Sequence, residues 1–247
     1  MLLRSPTLSS TRHGFSLRQG GVSQGRYESL NLSFKWGDEL AHVDENRRRF
    51  AEAGGFELQQ LCTVRQVHGR AVAVVAAETP ASAFTTVEAD ALVSEVPGVA
   101  LAVGTADCVP ILLADARGRV AAIHAGWRGT ILDIVGQTVL VLRELGAHAS
   151  GLRAALGPSI CVSCFEVGEE VATQFRSLGC VDDSGERPHV DLRLANRTLL
   201  ERAGVAPDAI DASPPCTMCD RERFFSFRRD GGQIGQHLSF VVAGART

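Results

Sequence analysis

Along this chain, short runs of β-branched and aliphatic residues alternate with segments whose apolar positions recur every three to four residues. The first helical segment is 44–53, with Gly54-Gly55 as its stop. Segments 61–66 and 71–76 read as a strand pair about a tight turn at His68-Gly69, which puts His68 at a strand end. Four β-rich runs follow, 89–94, 99–104, 109–114 and 120–124, broken at ProGly, ThrAlaAspCys and AlaArgGlyArg, and they are predicted to share one sheet. After His124, GlyTrpArgGlyThr opens a segment in which Ile131, Leu132, Ile134, Val135, Val139 and Leu142 have helix spacing, ending at Gly146. Helices are expected over 169–178 and 192–203, short strands near 152–156 and 209–212, and two closing strands at 223–227 and 237–242. Many connections are too short for helical crossovers, so the expectation is an α+β fold with much antiparallel pairing.

The 247 residues, 45% of them hydrophobic, are enough to bury a substantial core, and a single domain over 1–247 is expected. Disorder and coiled coil are excluded by that composition. There is no fixed-period repeat, and glycine and proline are scattered rather than gathered into a linker. No apolar run approaches the roughly 20 residues needed to span a bilayer, and the N-terminus lacks the apolar segment of a secretory signal. A cytoplasmic protein with no membrane partner is expected. Net charge is −3 and Lys35 is the only lysine among 25 basic residues, an arginine skew read as codon bias; without a basic stripe, nucleic acid is not an expected partner.

Seven cysteines in such a chain argue for free thiols rather than a disulfide framework. Cys161 with Cys164 and Cys216 with Cys219 form two CxxC pairs. A zinc ribbon needs them folded together across a gap of about fifty residues. The first pair runs into an apparent helix start, FEVGEE, and the second lies between SPP and an aromatic strand. Ordinary thiols are therefore expected, at least for Cys164, Cys180 and Cys219.

Three segments place a metal-competent or nucleophilic side chain at a strand terminus: Gln66-Val67-His68-Gly69, Thr105-Ala106-Asp107-Cys108 and His124-Ala125-Gly126-Trp127-Arg128. One thiolate and two imidazoles suit tetrahedral zinc with a fourth position open, the layout of a catalytic site. Copper also binds such donors. Arg128, at the glycine-flanked start of the long helix, is placed to hold a phosphate, and Arg228-Arg229 after FFSF offers a further fork.

QVHG, ADALVS, TADCVPILLAD, AAIHAGWRGT, GPSI followed by CFEVG, and CT followed by FFSFRRD occur in this order. Together they resemble the multicopper polyphenol oxidase, or laccase-domain, family, identified as zinc-containing purine nucleoside phosphorylases with accompanying adenosine deaminase activity. The resemblance runs from Ser29-Leu30-Asn31-Leu32 to the C-terminus. It implies mixed sheets in a four-layer α/β/β/α sandwich, similar to the catalytic domain of a bacterial cytotoxic deamidase that uses Cys and His. It also implies metal ligands at His68, Cys108 and His124, with Arg128 joining them in catalysis. Asn31, Arg128, Arg228 and Arg229 are the expected substrate or phosphate contacts.

The implied activity is phosphorolysis of adenosine, inosine or guanosine to base and ribose 1-phosphate by a monomer, with deamination of adenosine in the same pocket. A multicopper oxidase calls for about ten histidines, many in HxH pairs; this chain has seven and no HxH. A laccase-like copper oxidase is thereby disfavoured. Two other readings stay open: a cysteine amidohydrolase with Cys108 as nucleophile, His124 as base and Asp107 orienting it, acting on an amide such as a peptidoglycan precursor, or a non-catalytic metal-binding protein.

Overall fold

The computed structural model describes residues 1–77 and 79–244. Thirteen strands and six α-helices form among them. The five-stranded sheet runs β1 (Leu2–Leu3), β2 (His13–Ser16), β13 (His237–Val242), β6 (Ala100–Thr105), β3 (Leu61–Cys62). The six-stranded sheet runs β12 (Ile210–Asp211), β9 (Arg153–Leu156), β7 (Val109–Ala114), β8 (Val120–Ala125), β5 (Ala91–Ser94), β4 (Val72–Val74). Both sheets are mixed: only β3 with β6, β4 with β5 and β12 with β9 pair in parallel. β10 (Val181–Asp182) and β11 (His189–Val190) make a separate antiparallel pair.

Side-chain alternation sorts these strands into layers. In β7, Ile111 and Leu113 face one core while Leu112 and Ala114 face another. The first core fills the space under the helices α2 (Trp127–Ile131), α3 (Ile134–Glu144), α4 (Glu169–Phe175) and α5 (Leu192–Arg202). The second joins the two sheets, bringing Leu92, Leu112 and Ala122 onto Leu101, Val103 and Val241. A third packs Phe50 and Ala51 of α1 (Leu40–Gly54) on Leu238 and Phe240. Three cores between four layers give α/β/β/α. Because β7 and β8 are covered on both faces, their sequences are near-continuous apolar runs rather than alternating ones.

Several expected elements take a different form. The runs at 61–66 and 71–76 are not a hairpin: the chain crosses between sheets here, so β3 joins β6 and β4 joins β5. The four middle runs divide as well, with β6 in the five-stranded sheet and β5, β7 and β8 in the other. The long helix after His124 is broken at Asp133, which adopts a left-handed φ of 57° and caps α3 through Gly136 N–H. Arg128 therefore sits on the five-residue α2, not on the long helix. No strand forms at 223–227: Phe224 and Phe225 are fully buried, and Ser226 caps the short helix α6 (Phe227–Asp230), which carries Arg228 and Arg229. Aromatic content there reflects packing, not strand pairing.

His237 of β13 is buried beside Phe225. Its Nε2 accepts the Phe225 N–H at 2.9 Å, and Ser16 Oγ lies 3.4 Å from Nδ1. Burial, and then the positive charge of Arg18, push the ring down to about 3. The native ring is thus neutral, whereas the unfolded ring takes a proton near pH 6.5. Stability held above pH 6.5 is consequently lost as pH falls toward 3, by at most about 1.4 kcal/mol per pH unit from this group. Denaturant midpoints measured from pH 7 to 4 should fall less steeply in His237→Asn than in the parent; equal slopes would show that the ring is not held neutral.

Candidate active site

Strand alternation aims the reactive residues. His124 lies on the face of β8 shared by Val120 and Ala122, which looks toward the other sheet, and Cys108 precedes β7 in the register of Leu112. Both emerge at one end of the sheet-to-sheet interface. His68 arrives from the crossing between β3 and β4, in a left-handed conformation with φ 61°. Among the described residues, only His68, Asp107, Asp133 and Gln233 are non-glycine positions with positive φ, and the first two flank this site.

The sulfur of Cys108 and a ring nitrogen of each histidine lie within 4.8 Å of one another. The His68 and His124 rings meet edge to face at 4.7 Å between centroids. Gly126 closes the cluster: a Cβ there would stand 3.0 Å from both the Cys108 sulfur and the His68 ring. That explains the glycine of the HAGWRG segment.

Asp90, fully buried, organises two of the three donors. It accepts main-chain N–H groups from Val67, His68 and Gly69 at 3.2, 2.9 and 2.7 Å, fixing the crossing loop. It also lies 2.8 Å from His124 Nδ1, which leaves Nε2 turned toward Cys108. Asp90 is part of ADALVS, yet an acid at a strand start carries no local signal; only the pairing of β5 with β8 brings it beneath His124. Asp107, by contrast, does not orient His124. Its carboxylate accepts from Thr217 and Ser226 hydroxyls and from Arg228 N–H at 2.6, 3.0 and 2.7 Å.

Burial by itself raises the Cys108 thiol, but the charge and hydrogen bonds of His124 and His68 outweigh it and bring it down to about 6. Burial lowers the His124 ring, and the Cys108 thiolate and Asp90 reverse this, raising it to about 9. A thiolate, an imidazole with its second nitrogen tied to a carboxylate, and a further imidazole fit zinc or copper as ligands. Their donor atoms already converge.

Above the cluster lies a cavity of about 430 Å³, lined by Trp36, Trp127, Phe165 and Phe227 and by the cations Lys35, Arg128 and Arg228. Arg128 stacks over Trp127 at 4.2 Å, and Arg228 over Phe165 at 5.2 Å. Of the other expected contacts, Asn31 is fully buried and away from this lining, its amide spent on Ser33, Asp38 and Gln236 N–H. Arg229 is turned inward, bonded to the carbonyls of Thr217, Met218 and Phe224. Phe227 lines the cavity, whereas Phe225 is buried beneath Arg18. Lys35 and Trp36 carry no local signal of a site role in the sequence, because they belong to a loop whose approach to the cavity depends on the tertiary fold.

The two CxxC pairs also differ from expectation. All four sulfurs lie within 4.8 Å of one another, because a parallel bridge between Ser159 and Cys216 brings the two segments side by side. Cys180 and Cys62 remain buried thiols, pushed by burial up to about 11 and about 12.

Residues 12–244 match the protein family described as multi-copper polyphenol oxidoreductase laccase. Over 245 residues the chain is 46% identical to a protein named purine nucleoside phosphorylase from Deinococcus radiodurans, covering 97% of this chain and 92% of the relative. It is 38% identical over 241 residues to a protein named adenosine deaminase RL5, from an unknown prokaryotic organism, covering 92% of each. The crystal structure of YlmD from Geobacillus stearothermophilus matches with a TM-score of 0.92 at 33% identity, covering 98% of this chain and 96% of that one. With its motifs in order and the whole fold shared, the chain belongs to the laccase-like polyphenol oxidoreductase family.

Proposed function

We propose that this protein is a metal-dependent purine nucleoside phosphorylase that also deaminates adenosine, acting as a cytoplasmic monomer with zinc held by His68, Cys108 and His124. The observation that carries the reading is the joining of this donor cluster to a cavity of nucleoside size walled by aromatic rings and cations. The names of its relatives support it. Among the described residues, the metal-competent groups are this one and the four cysteines, neither of them a histidine-rich multicopper cluster.

Bound zinc would supply a Lewis acid and a water acidic enough to serve as nucleophile near neutral pH. The chain supplies the rest. Asp90 keeps the proton on His124 Nδ1, so that Nε2 keeps its lone pair for a metal, and Gly126, lacking a Cβ, leaves room for the Cys108 sulfur and the His68 ring to converge. Trp36, Trp127, Phe165 and Phe227 offer faces on which a purine stacks. Arg128, Arg228 and Lys35 bring phosphate beside the ribose and hold its charge as the glycosidic bond breaks.

Incubated with adenosine and phosphate, the protein should release adenine and ribose 1-phosphate, and without phosphate it should still form inosine. Chromatography of bases, nucleosides and sugar phosphate decides this. Inactivity toward adenosine, inosine and guanosine with zinc present would overturn the reading. Arg128→Ala should lower phosphorolysis about 10- to 100-fold, the worth of a charged hydrogen bond, while deamination changes far less. Equal loss of both would assign Arg128 a role in the fold.

A further inference from the structure

We propose that Cys161, Cys164, Cys216 and Cys219 form a second, structural zinc site that ties the loop walling the active-site cavity to the loop that holds Asp107 beside Cys108. Four sulfurs with mutual separations below 4.8 Å meet the need of a tetrahedral ion, which holds four thiolates at about 2.3 Å and so spaces them about 3.8 Å apart. Cys164 and Cys219 stand 3.4 Å apart, and all four cysteines are free thiols. An all-sulfur tetrahedral set favours zinc over the hard cations.

The surrounding backbone is shaped as two metal knuckles. After Cys161 the chain turns back so that Cys164 N–H reaches the Cys161 carbonyl at 3.1 Å, and after Cys216 it turns so that Asp220 N–H reaches the Cys216 carbonyl at 3.2 Å. The Cys161 N–H points at the Cys216 sulfur at 3.3 Å, from the opposite loop. Such a donor favours the thiolate that a metal requires. The bridge of Ser159 to Cys216 sets the register, and Arg193 clamps it by donating to the carbonyls of Ser159 and Pro215. The two pairs are thus aligned by features outside the cysteines themselves.

What the ion would join is functional. The first loop carries Ile160 and Phe165 into the cavity wall. The second carries Thr217, which bonds Asp107 next to Cys108, and the carbonyls that hold Arg229. A zinc at the four cysteines would therefore cross-link a wall of the pocket to its floor without touching substrate.

The inference is tested on the whole chain without reference to activity. In Cys108→Ala, which removes a ligand of the other cluster, one equivalent of zinc per chain should remain. Cobalt put in its place should show intense sulfur-to-cobalt charge transfer and tetrahedral visible bands. In the zinc-loaded parent, Cys161, Cys164, Cys216 and Cys219 should resist alkylation, mapped by peptide mass spectrometry, and react after chelation. Cys164→Ser with Cys219→Ser should lose one zinc equivalent. Full alkylation of the four with zinc present, or a cobalt spectrum lacking sulfur charge transfer in Cys108→Ala, would overturn the proposal. The alkylation and cobalt measurements do not need the Cys164→Ser, Cys219→Ser variant to fold.

Discussion

Cys108→Ala is expected to abolish phosphorolysis and deamination together, each by at least about 100-fold, the upper range seen when even an indirect support of a metal ligand is lost. The thiolate is the only anionic donor of its cluster, set between two imidazoles. Without it only two imidazole ligands remain, one of them exposed, and most of the metal affinity goes. A chelator should inactivate the parent protein, and added zinc should restore it; the variant should gain nothing from zinc. If instead the chelated parent stayed active on an amide substrate while Cys108→Ala did not, Cys108 would be a nucleophile and the enzyme a cysteine hydrolase.

Asp90 is the second residue on which the site depends. In Asp90→Asn, one carboxylate oxygen becomes an NH₂ donor. Four donors now compete for one acceptor atom, and the amide favours the His124 tautomer that accepts at Nδ1 and is protonated at Nε2. Zinc affinity should fall by about 10- to 100-fold with the fold retained. Asp90→Ala goes further, stranding the N–H groups of Val67, His68 and Gly69, and should cost roughly 3–5 kcal/mol of stability, as when one member of a buried pair is removed. Competition against a chromophoric chelator reads the first effect and denaturant unfolding the second. Unchanged zinc affinity in Asp90→Asn would mean that the carboxylate does not set the tautomer.

His68, Cys108 and His124 were legible in the sequence because each sits beside a strong β-run, and α1, α5 and β13 were legible from periodicity and their stops. Asp90 was not, since its role exists only once β5 and β8 are paired in register. The assignment of β6 to a different sheet from β5, β7 and β8 was equally hidden: strands covered on both faces lose the alternation that would report which sheet they join. The aromatic run at 224–227 misled for a related reason, because burial of Phe224 and Phe225 selects the same residues that strand pairing does. Convergence of the four CxxC cysteines depends on contacts between segments far apart in the chain, the bridge of Ser159 with Cys216 and the Arg193 clamp on it.

β13 occupies the middle of its sheet, paired along six residues with β6 and along three with β2. During synthesis, then, the strands that flank it emerge long before it does and face each other across a gap. Ile234 and Gln236, just ahead of β13, complete the cavity, so the pocket closes only when that strand docks. Such late, long-range pairing makes folding slow and leaves two open edges waiting, the condition under which nascent chains aggregate or engage chaperones. A chain stalled before residue 237 would leave β2 and β6 without their shared neighbour and the cavity without a completed wall.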